Sequence, residues 1–172
     1  MPEHFNNNGD QGNIEVLSAE LTAAKVAHTV SDQIQNADFV LIGDASRASM
    51  RHYKEQLEAL RPIVRERYSK GLGTLLVGSS YEYFASDLGL ELRQVPRKSE
   101  FVIGEYFGYR NTEYDLEPVT RNGLFVATSL YGPFLAKNPG YLSELLTGLG
   151  VEHELRSERL FWIEKIREVS GD

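Results

Sequence analysis

The sequence contains no cysteine. The chain therefore cannot form a disulfide or a zinc site built on thiolates, which excludes a small fold held together by cross-links. The same absence excludes any enzyme mechanism in which this chain supplies a cysteine nucleophile.

Long apolar runs are also absent. The longest, at residues 39–43 and 74–78, fall far short of the roughly 20 residues that a membrane-spanning helix needs. The first residues, Met-Pro-Glu-His-Phe, lack the basic-then-apolar order of a signal peptide. We therefore expect a cytoplasmic protein that does not enter a membrane.

Basic residues are fewer than acidic residues in this chain. Eighteen Lys and Arg against 25 Asp and Glu leave a net charge of -7. Such a chain repels phosphate backbones, so nucleic acid is not expected as a general partner.

Apolar and polar segments alternate along the 172 residues, of which 41% are hydrophobic. Helical spacing or caps predict helices at 13–26, 51–69 (bent or split at Pro62), 79–85, 139–149 and 157–169. Apolar runs predict strands at 26–30, 38–43, 74–77, 100–109 and 123–130. This order predicts an α/β fold: a three-layer, mostly parallel open sheet with helices on both faces.

Two segments are more specific than the rest. The first reads Leu-Leu-Val-Gly-Ser-Ser-Tyr-Glu-Tyr-Phe (75–84), and the second reads Ala-Thr-Ser-Leu-Tyr-Gly-Pro-Phe-Leu-Ala-Lys-Asn-Pro (127–139). Both resemble class I glutamine amidotransferase domains of the cobyric acid synthase type, and most closely the glutaminase subunit of lipid II isoglutaminyl synthase. In that family the segments read Cys-Gly-Gly-Tyr-Gln after an apolar strand, and Thr-Tyr-Leu-His-Gly-Pro-Leu-Leu-Pro-Arg-Asn-Pro.

Three further segments extend the resemblance over most of the chain. Gly-Asp-Gln-Gly-Asn-Ile (9–14), Ala-Asp-Phe-Val-Leu-Ile-Gly-Asp-Ala-Ser (37–46) and the region 104–114 match family segments in the same order. The resemblance implies a flavodoxin-like domain over residues 1–150. Residues 151–172 are then expected to form a separate C-terminal amphipathic helix.

The resemblance also implies that the catalytic pair is gone. Gly78 stands at the position of the nucleophilic Cys, and Tyr131 stands at the position of its His partner. A phenol with a pKa near 10 is a poor base at neutral pH. Asp44 follows Gly43 in the glycine turn and adds a negative charge near the expected oxyanion. These residues predict a protein without glutaminase activity.

Two alternatives remain open at this segment. Ser79 or Ser80 could serve as a substitute nucleophile, or both could cap the helix that follows. The old pocket could also bind glutamine or another amino acid without hydrolysis. The expected ligand-binding residues are Gly43, Asp44, Tyr81, Arg110 and Tyr131.

Asp10, Asn13 and Asp44 could look like a metal cluster, but caps and turns explain them without a metal. We expect neither a metal site nor a cofactor.

The C-terminal segment 157–169 lies outside the resemblance and has apolar residues around much of a helix. We expect it to pack on its own domain or to dock a protein partner or a second copy.

By resemblance, the leading partner is a Mur-ligase-type, ATP-dependent subunit that amidates the peptidoglycan stem peptide during cell-wall synthesis. The sequence thus predicts an inactive scaffold or regulatory subunit of such a complex.

Overall fold

The computed structural model describes residues 2–170. Met1 of the expected domain 1–150, and Gly171 and Asp172 of the expected C-terminal segment 151–172, lie outside the described residues. The helices are α1 (Gln11–Ala23), α2 (Arg47–His52), α3 (Lys54–Lys70), α4 (Ser79–Phe84), α5 (Phe134–Lys137), α6 (Pro139–Gly148) and α7 (Ser157–Ser170). The strands are β1 (Val40–Ile42), β2 (Thr74–Val77), β3 (Gln94–Val102), β4 (Gly108–Tyr114), β5 (Val119–Asn122), β6 (Phe125–Thr128) and β7 (Leu130–Tyr131).

The main sheet has four strands in the order β1-β2-β6-β5. β1, β2 and β6 are parallel, with Leu41 opposite Leu75 and Leu75 opposite Val126. β5 runs antiparallel to β6 at one edge. The expected α/β fold is therefore confirmed, with a mixed rather than purely parallel sheet.

Helices cover both faces of the main sheet. On one face, Leu57 and Val64 of α3 pack with alternate strand residues such as Leu76. On the other, Leu17 of α1 and four residues of α6 pack against Leu75 and neighbouring residues of β2 and β6. Successive strand residues point to opposite faces, so burial on both faces explains why these strands are continuously apolar.

A second, antiparallel sheet in the order β3-β4-β7 was not predicted. Residues 100–109 were expected to form one strand, but they contain the turn between β3 and β4, with Glu100 opposite Arg110. β3 is almost wholly exposed, so it lacks the apolar pattern that identifies a buried strand.

Two other expectations were wrong. Residues 26–30 form no strand, since Val26 and Val30 are exposed and have no sheet to join. The segment 51–69 is split at Tyr53 and not at Pro62, which lies inside α3. Pro62 is on the exposed side of α3, so water can hydrate the carbonyl that loses its donor.

A buried guanidinium holds together the amino ends of β1 and β2. Arg67 of α3 donates to the carbonyl oxygens of Ala37 (2.8 Å) and Gly73 (2.7 Å) and to the Thr74 hydroxyl (2.9 Å). Burial lowers the pKa of Arg67. Several neutral acceptors thus compensate for its loss of hydration.

The C-terminal helix packs on its own domain through a buried carboxylate. Glu20 of α1 has no exposed surface. It contacts His153 Nε2 and Arg159 Nε, both at 2.8 Å, and Arg156 lies 3.8 Å away. One acidic group of α1 therefore secures the segment that leads into α7 and the first turns of α7.

No helix within residues 2–170 has the length and apolar character needed to cross a membrane.

We predict that Glu20→Ala loosens α7 while leaving the main sheet intact. The substitution leaves three cationic or polar side chains without their buried acceptor. Limited trypsin digestion should then cleave after Arg156 and Arg159 at least several times faster than in the wild type.

Glu15→Ala removes an exposed carboxylate from the same helix and is the matched control. Equal cleavage rates in the wild type and both variants would show that Glu20 does not hold α7.

Candidate functional site

The segments that carry the sequence resemblance meet at the carboxyl ends of β1, β2 and β6. The loop after β1 contains Gly43 and Asp44, and the turn after β2 is Gly78. At the start of α1, Asn13 Oδ1 accepts the Leu135 N–H at 2.8 Å. Carboxyl ends of adjacent parallel strands lie at one sheet edge, which is where α/β proteins bind ligands. This edge is the candidate site.

Gly78 forms a sharp turn between β2 and α4. Its φ of 57° and ψ of -118° are rarely adopted by residues that have a side chain. A strand, a strained turn and a helix form the elbow on which many hydrolases present their nucleophile. The same strand, turn and helix occur here with glycine at the apex, and we call this turn the elbow.

The space beside Gly78 is occupied. A Cβ atom at this position would lie 2.5 Å from Asp44 Oδ1 and 2.9 Å from Tyr131 Cε1. Both distances are well inside van der Waals contact. A nucleophilic side chain therefore cannot be placed at position 78 unless Asp44 or Tyr131 moves.

Asp44 binds the backbone N–H that follows the elbow glycine. Its Oδ1 accepts the Ser79 N–H at 2.8 Å. In elbow enzymes, the N–H of the residue after the nucleophile is one of the oxyanion donors. A fixed carboxylate bound to this donor opposes the binding of a second negative charge.

The N-terminal segment closes over the same carboxylate. The side-chain amides of Asn7 and Asn8 donate to Asp44 Oδ2 at 3.1 and 2.8 Å. The Phe5 carbonyl oxygen would lie 2.1 Å from a Cβ at Gly43, so this approach requires glycine. The sequence pattern gave no signal for this covering segment.

Tyr131 is held as a hydrogen-bond donor. Its hydroxyl donates to the Asn111 carbonyl oxygen at 2.9 Å. Burial, with the Asp44 carboxylate nearby, raises the pKa of Tyr131 to about 12. The phenol is therefore protonated at neutral pH and does not act as a general base.

The two serines do not cap α4, so that expectation was wrong. Ser79 Oγ accepts the Ala45 N–H at 2.8 Å, and Ser80 Oγ donates to the Gly43 carbonyl at 2.6 Å. Both hydroxyls instead fix the loop after β1. Gly78 is the N-cap residue.

The histidines contact residues other than the two serines of the elbow. His4 and His52 pack on Tyr53, His28 contacts the Val26 carbonyl, and His153 contacts Glu20. None of these contacts offers a base to Ser79 or Ser80.

Buried Asp10 and half-buried Lys137 lie beside the elbow. Asp10 Oδ2 accepts the Asp44 N–H at 2.8 Å, whereas Asp10 Oδ1 is buried without a hydrogen-bond partner. Burial raises the pKa of Asp10 to about 6. Burial also lowers the pKa of Lys137, whose Nζ donates to the Tyr131 carbonyl at 2.5 Å.

Of the two residues able to cap α1 by sequence, Asp10 and Asn13, only Asp10 takes the N-cap position. Asp10 is the N-cap residue but makes no side-chain cap bond. Asn6 Oδ1 accepts the Gln11 N–H at 2.7 Å instead. Asn13 lies inside the helix and bonds to α5 as described.

Tyr81 and Arg110 lie in a different cleft, so the expected ligand-binding set divides into two. Both line a polar cavity of about 350 Å³ that also includes Asp115 and Thr120. Arg110 already donates to Glu100 and to the Leu116 carbonyl. All three guanidinium nitrogens of Arg110 therefore take part in bonds within the protein. Gly43, Asp44 and Tyr131 remain together at the elbow.

The Asn-Pro at 138–139 has a structural role that the sequence did not reveal. Asn138 accepts the Phe107 N–H at 2.7 Å and donates to the carbonyls of Phe107 and Phe134. This one amide joins the β3–β4 turn to α5.

Within the described chain, no group of three or more acidic or histidine side chains is arranged to hold a metal ion.

Comparison with known proteins yields no relative: no family model matches the chain, and no curated protein matches it significantly.

We predict that Gly78→Ala lowers the free energy of unfolding by about 3 kcal/mol, through backbone strain and the clash with Asp44 and Tyr131. Gly89→Ala is the matched control, because Gly89 also has a positive φ (74°) but no atom within 4 Å of its Cβ position. It should cost only about 1 kcal/mol. Urea denaturation measures both, and equal losses would contradict the clash.

A second prediction concerns pH. The pKa of Asp10 is about 6 in the folded protein and near 3.8 when unfolded. Between these values the folded state binds a proton that the unfolded state has released, so the free energy of unfolding should fall as pH rises from about 4 to 6. Asp10→Asn should flatten this part of the profile.

The measurement is urea denaturation at pH steps from 4 to 8. Glu15→Gln, which alters an exposed carboxyl on α1, is the control and should follow the wild-type profile. A wild-type slope that persists in Asp10→Asn would assign the pH dependence to another group.

Proposed function

We propose that the chain is a catalytically inactive, class I glutamine amidotransferase-like domain that acts as a binding or regulatory subunit. One observation carries the proposal. The nucleophile elbow is present, but Gly78 is at its apex and Asp44 accepts the N–H that would stabilise an oxyanion.

Amide hydrolysis by this fold needs a nucleophile, a base and an oxyanion site. Gly78 has no side chain to attack with. Tyr131 keeps its proton at neutral pH because its pKa is raised to about 12. The Asp44 carboxylate adds a negative charge where one would develop. Each of the three requirements fails for a separate physical reason, which supports an inactive protein.

The arrangement of the resembling segments supports the family assignment. Asp10 contacts Asp44 through a hydrogen bond, and Gly12 packs against Pro133, where a Cβ would lie 2.7 Å from Cγ. Segments far apart in sequence thus meet at one sheet edge, as the resemblance implies. The glycine and asparagine positions of these segments serve close packing and need no catalytic chemistry.

A serine-dependent amidohydrolase is the rival function. It is favoured by one observation: Ser79 is adjacent to the elbow and only partly buried. Against it, the Ser79 hydroxyl already accepts the Ala45 N–H and no histidine contacts it.

The partner assignment depends on the resemblance. A Mur-ligase-type subunit that amidates peptidoglycan stem peptides is the partner we propose, with this chain as its scaffold or regulator. Such a ligase would then draw on free ammonia. A glutamine-binding sensor without hydrolysis is a further outcome that the same experiment separates.

We predict no ammonia release from glutamine above the blank, either by the purified protein alone or with a co-expressed Mur-type ligase. The ligase should co-purify with the tagged protein. An authentic glutaminase subunit is the positive control, and a coupled ammonia assay is the measurement.

Ser79→Ala and Ser80→Ala are assayed in parallel, with circular dichroism as the check on folding. Turnover that disappears in Ser79→Ala would overturn the inactive assignment and establish a serine enzyme. Binding of glutamine without turnover or a ligase contact would favour the sensor.

A further inference from the structure

The outer face of α7 exposes large apolar side chains. Trp162 is 58% exposed and is the only tryptophan in the chain. The exposed apolar residues of α7 are Leu160, Phe161, Trp162, Ile166 and Val169. Monomeric proteins rarely leave so many large apolar groups together on one element without a partner.

The domain cannot cover this face itself, because the opposite face of α7 is already bound. Arg159 contacts Glu20, Ile163 is 8% exposed, and Arg167 lies over the Phe107 ring at 5.6 Å. These residues, at intervals of four, form one stripe along the helix. The helix is therefore fixed with its aromatic residues directed outward.

The charges of the outer face are self-complementary. Glu158 and Lys165 are seven residues apart, so they lie on the same side of the helix, two turns from each other. Phe161 and Trp162 lie midway between them. If two copies of α7 cross antiparallel at this midpoint, each Glu158 meets the Lys165 of the other copy.

This pairing has the symmetry that a two-fold dimer requires, since the same patch is presented by both copies. Lys165 now contacts Glu168 within its own helix at 2.6 Å. Because an exposed pair of this kind contributes little stability, exchanging it for Glu158 of a second copy costs little.

A lipid surface fits less well. Helices that bind membranes carry mainly Lys and Arg beside their apolar face. Here Glu158, Glu164 and Glu168 outnumber Lys165 among the exposed charges.

We propose that the protein forms a homodimer through α7, packed antiparallel about a two-fold axis at Phe161 and Trp162. This dimer does not depend on the amidotransferase-like assignment.

The test is sedimentation equilibrium of the full chain from about 1 to 200 μM, with Trp162 fluorescence as an independent readout. Subunits of 19.4 kDa should associate into a species of twice that mass. The emission of Trp162 should shift to shorter wavelength over the same concentrations, because the dimer removes its ring from water.

Phe161→Asp should raise the dissociation constant at least tenfold and abolish the fluorescence shift at these concentrations, since it places a charge at the crossing point. Val30→Asp changes an apolar residue, 66% exposed, outside α7 and should leave the dimer unchanged.

Charge reversal tests the register. Glu158→Lys and Lys165→Glu should each weaken association about three- to tenfold, and the double variant should recover most of the loss. A monomer at every concentration, or a dimer indifferent to Phe161→Asp, would overturn the proposal. A fluorescence shift that appears only when a ligase is added would overturn it in favour of that partner.

Discussion

Asp44 is bonded through both its side chain and its backbone. The carboxylate accepts hydrogen bonds from the N-terminal segment and from the elbow, and the backbone N–H of Asp44 donates to Asp10. The carboxylate places a negative charge beside the N–H that follows the elbow glycine. Burial, with the Asp44 charge as a smaller contribution, raises the pKa of Asp10 to about 6. Glycine at position 78 follows from this arrangement, because Asp44 Oδ1 occupies the space where a side chain would begin.

The residues of this elbow are therefore interdependent. A cysteine placed at position 78 alone would meet Asp44 and Tyr131. A histidine placed at position 131 alone would find no side chain at position 78. Volume and charge at this elbow thus favour the observed residues over single substitutions.

The sequence was most informative where both sides of an element are buried. β2 was predicted at its observed bounds, because a short, largely apolar run is typical of a strand buried on both faces of a sheet. The β3–β4 hairpin was missed, since β3 is exposed and its apolar residues follow no clear period. At the site, the residue types at positions 78 and 131 are read directly from the sequence, whereas their contact with Asp44 is seen only in the structure. The split between the elbow and the Tyr81–Arg110 cleft was not predicted, because it depends on how β4 pairs with β7.

The two serines and α7 show why polar patterns predict side-chain contacts less well than apolar patterns predict strands and helices. Serine is a common helix cap, yet the hydroxyls of Ser79 and Ser80 bond to the backbone of a loop that lies 34 or more residues earlier in the chain. In α7, the face directed inward is held largely by Arg159 and Arg167, and the most apolar residues point outward. Both outcomes follow from one cause: a buried donor or acceptor takes a polar partner wherever one can reach it, since leaving it unsatisfied costs about 1–3 kcal/mol. Two buried acceptors belong to α1 and its cap, with Asp10 beside the elbow and Glu20 beneath α7. Ten residues, a rise of about 15 Å, separate Asp10 from Glu20 along the helix, so one rigid element positions both the elbow and the C-terminal helix.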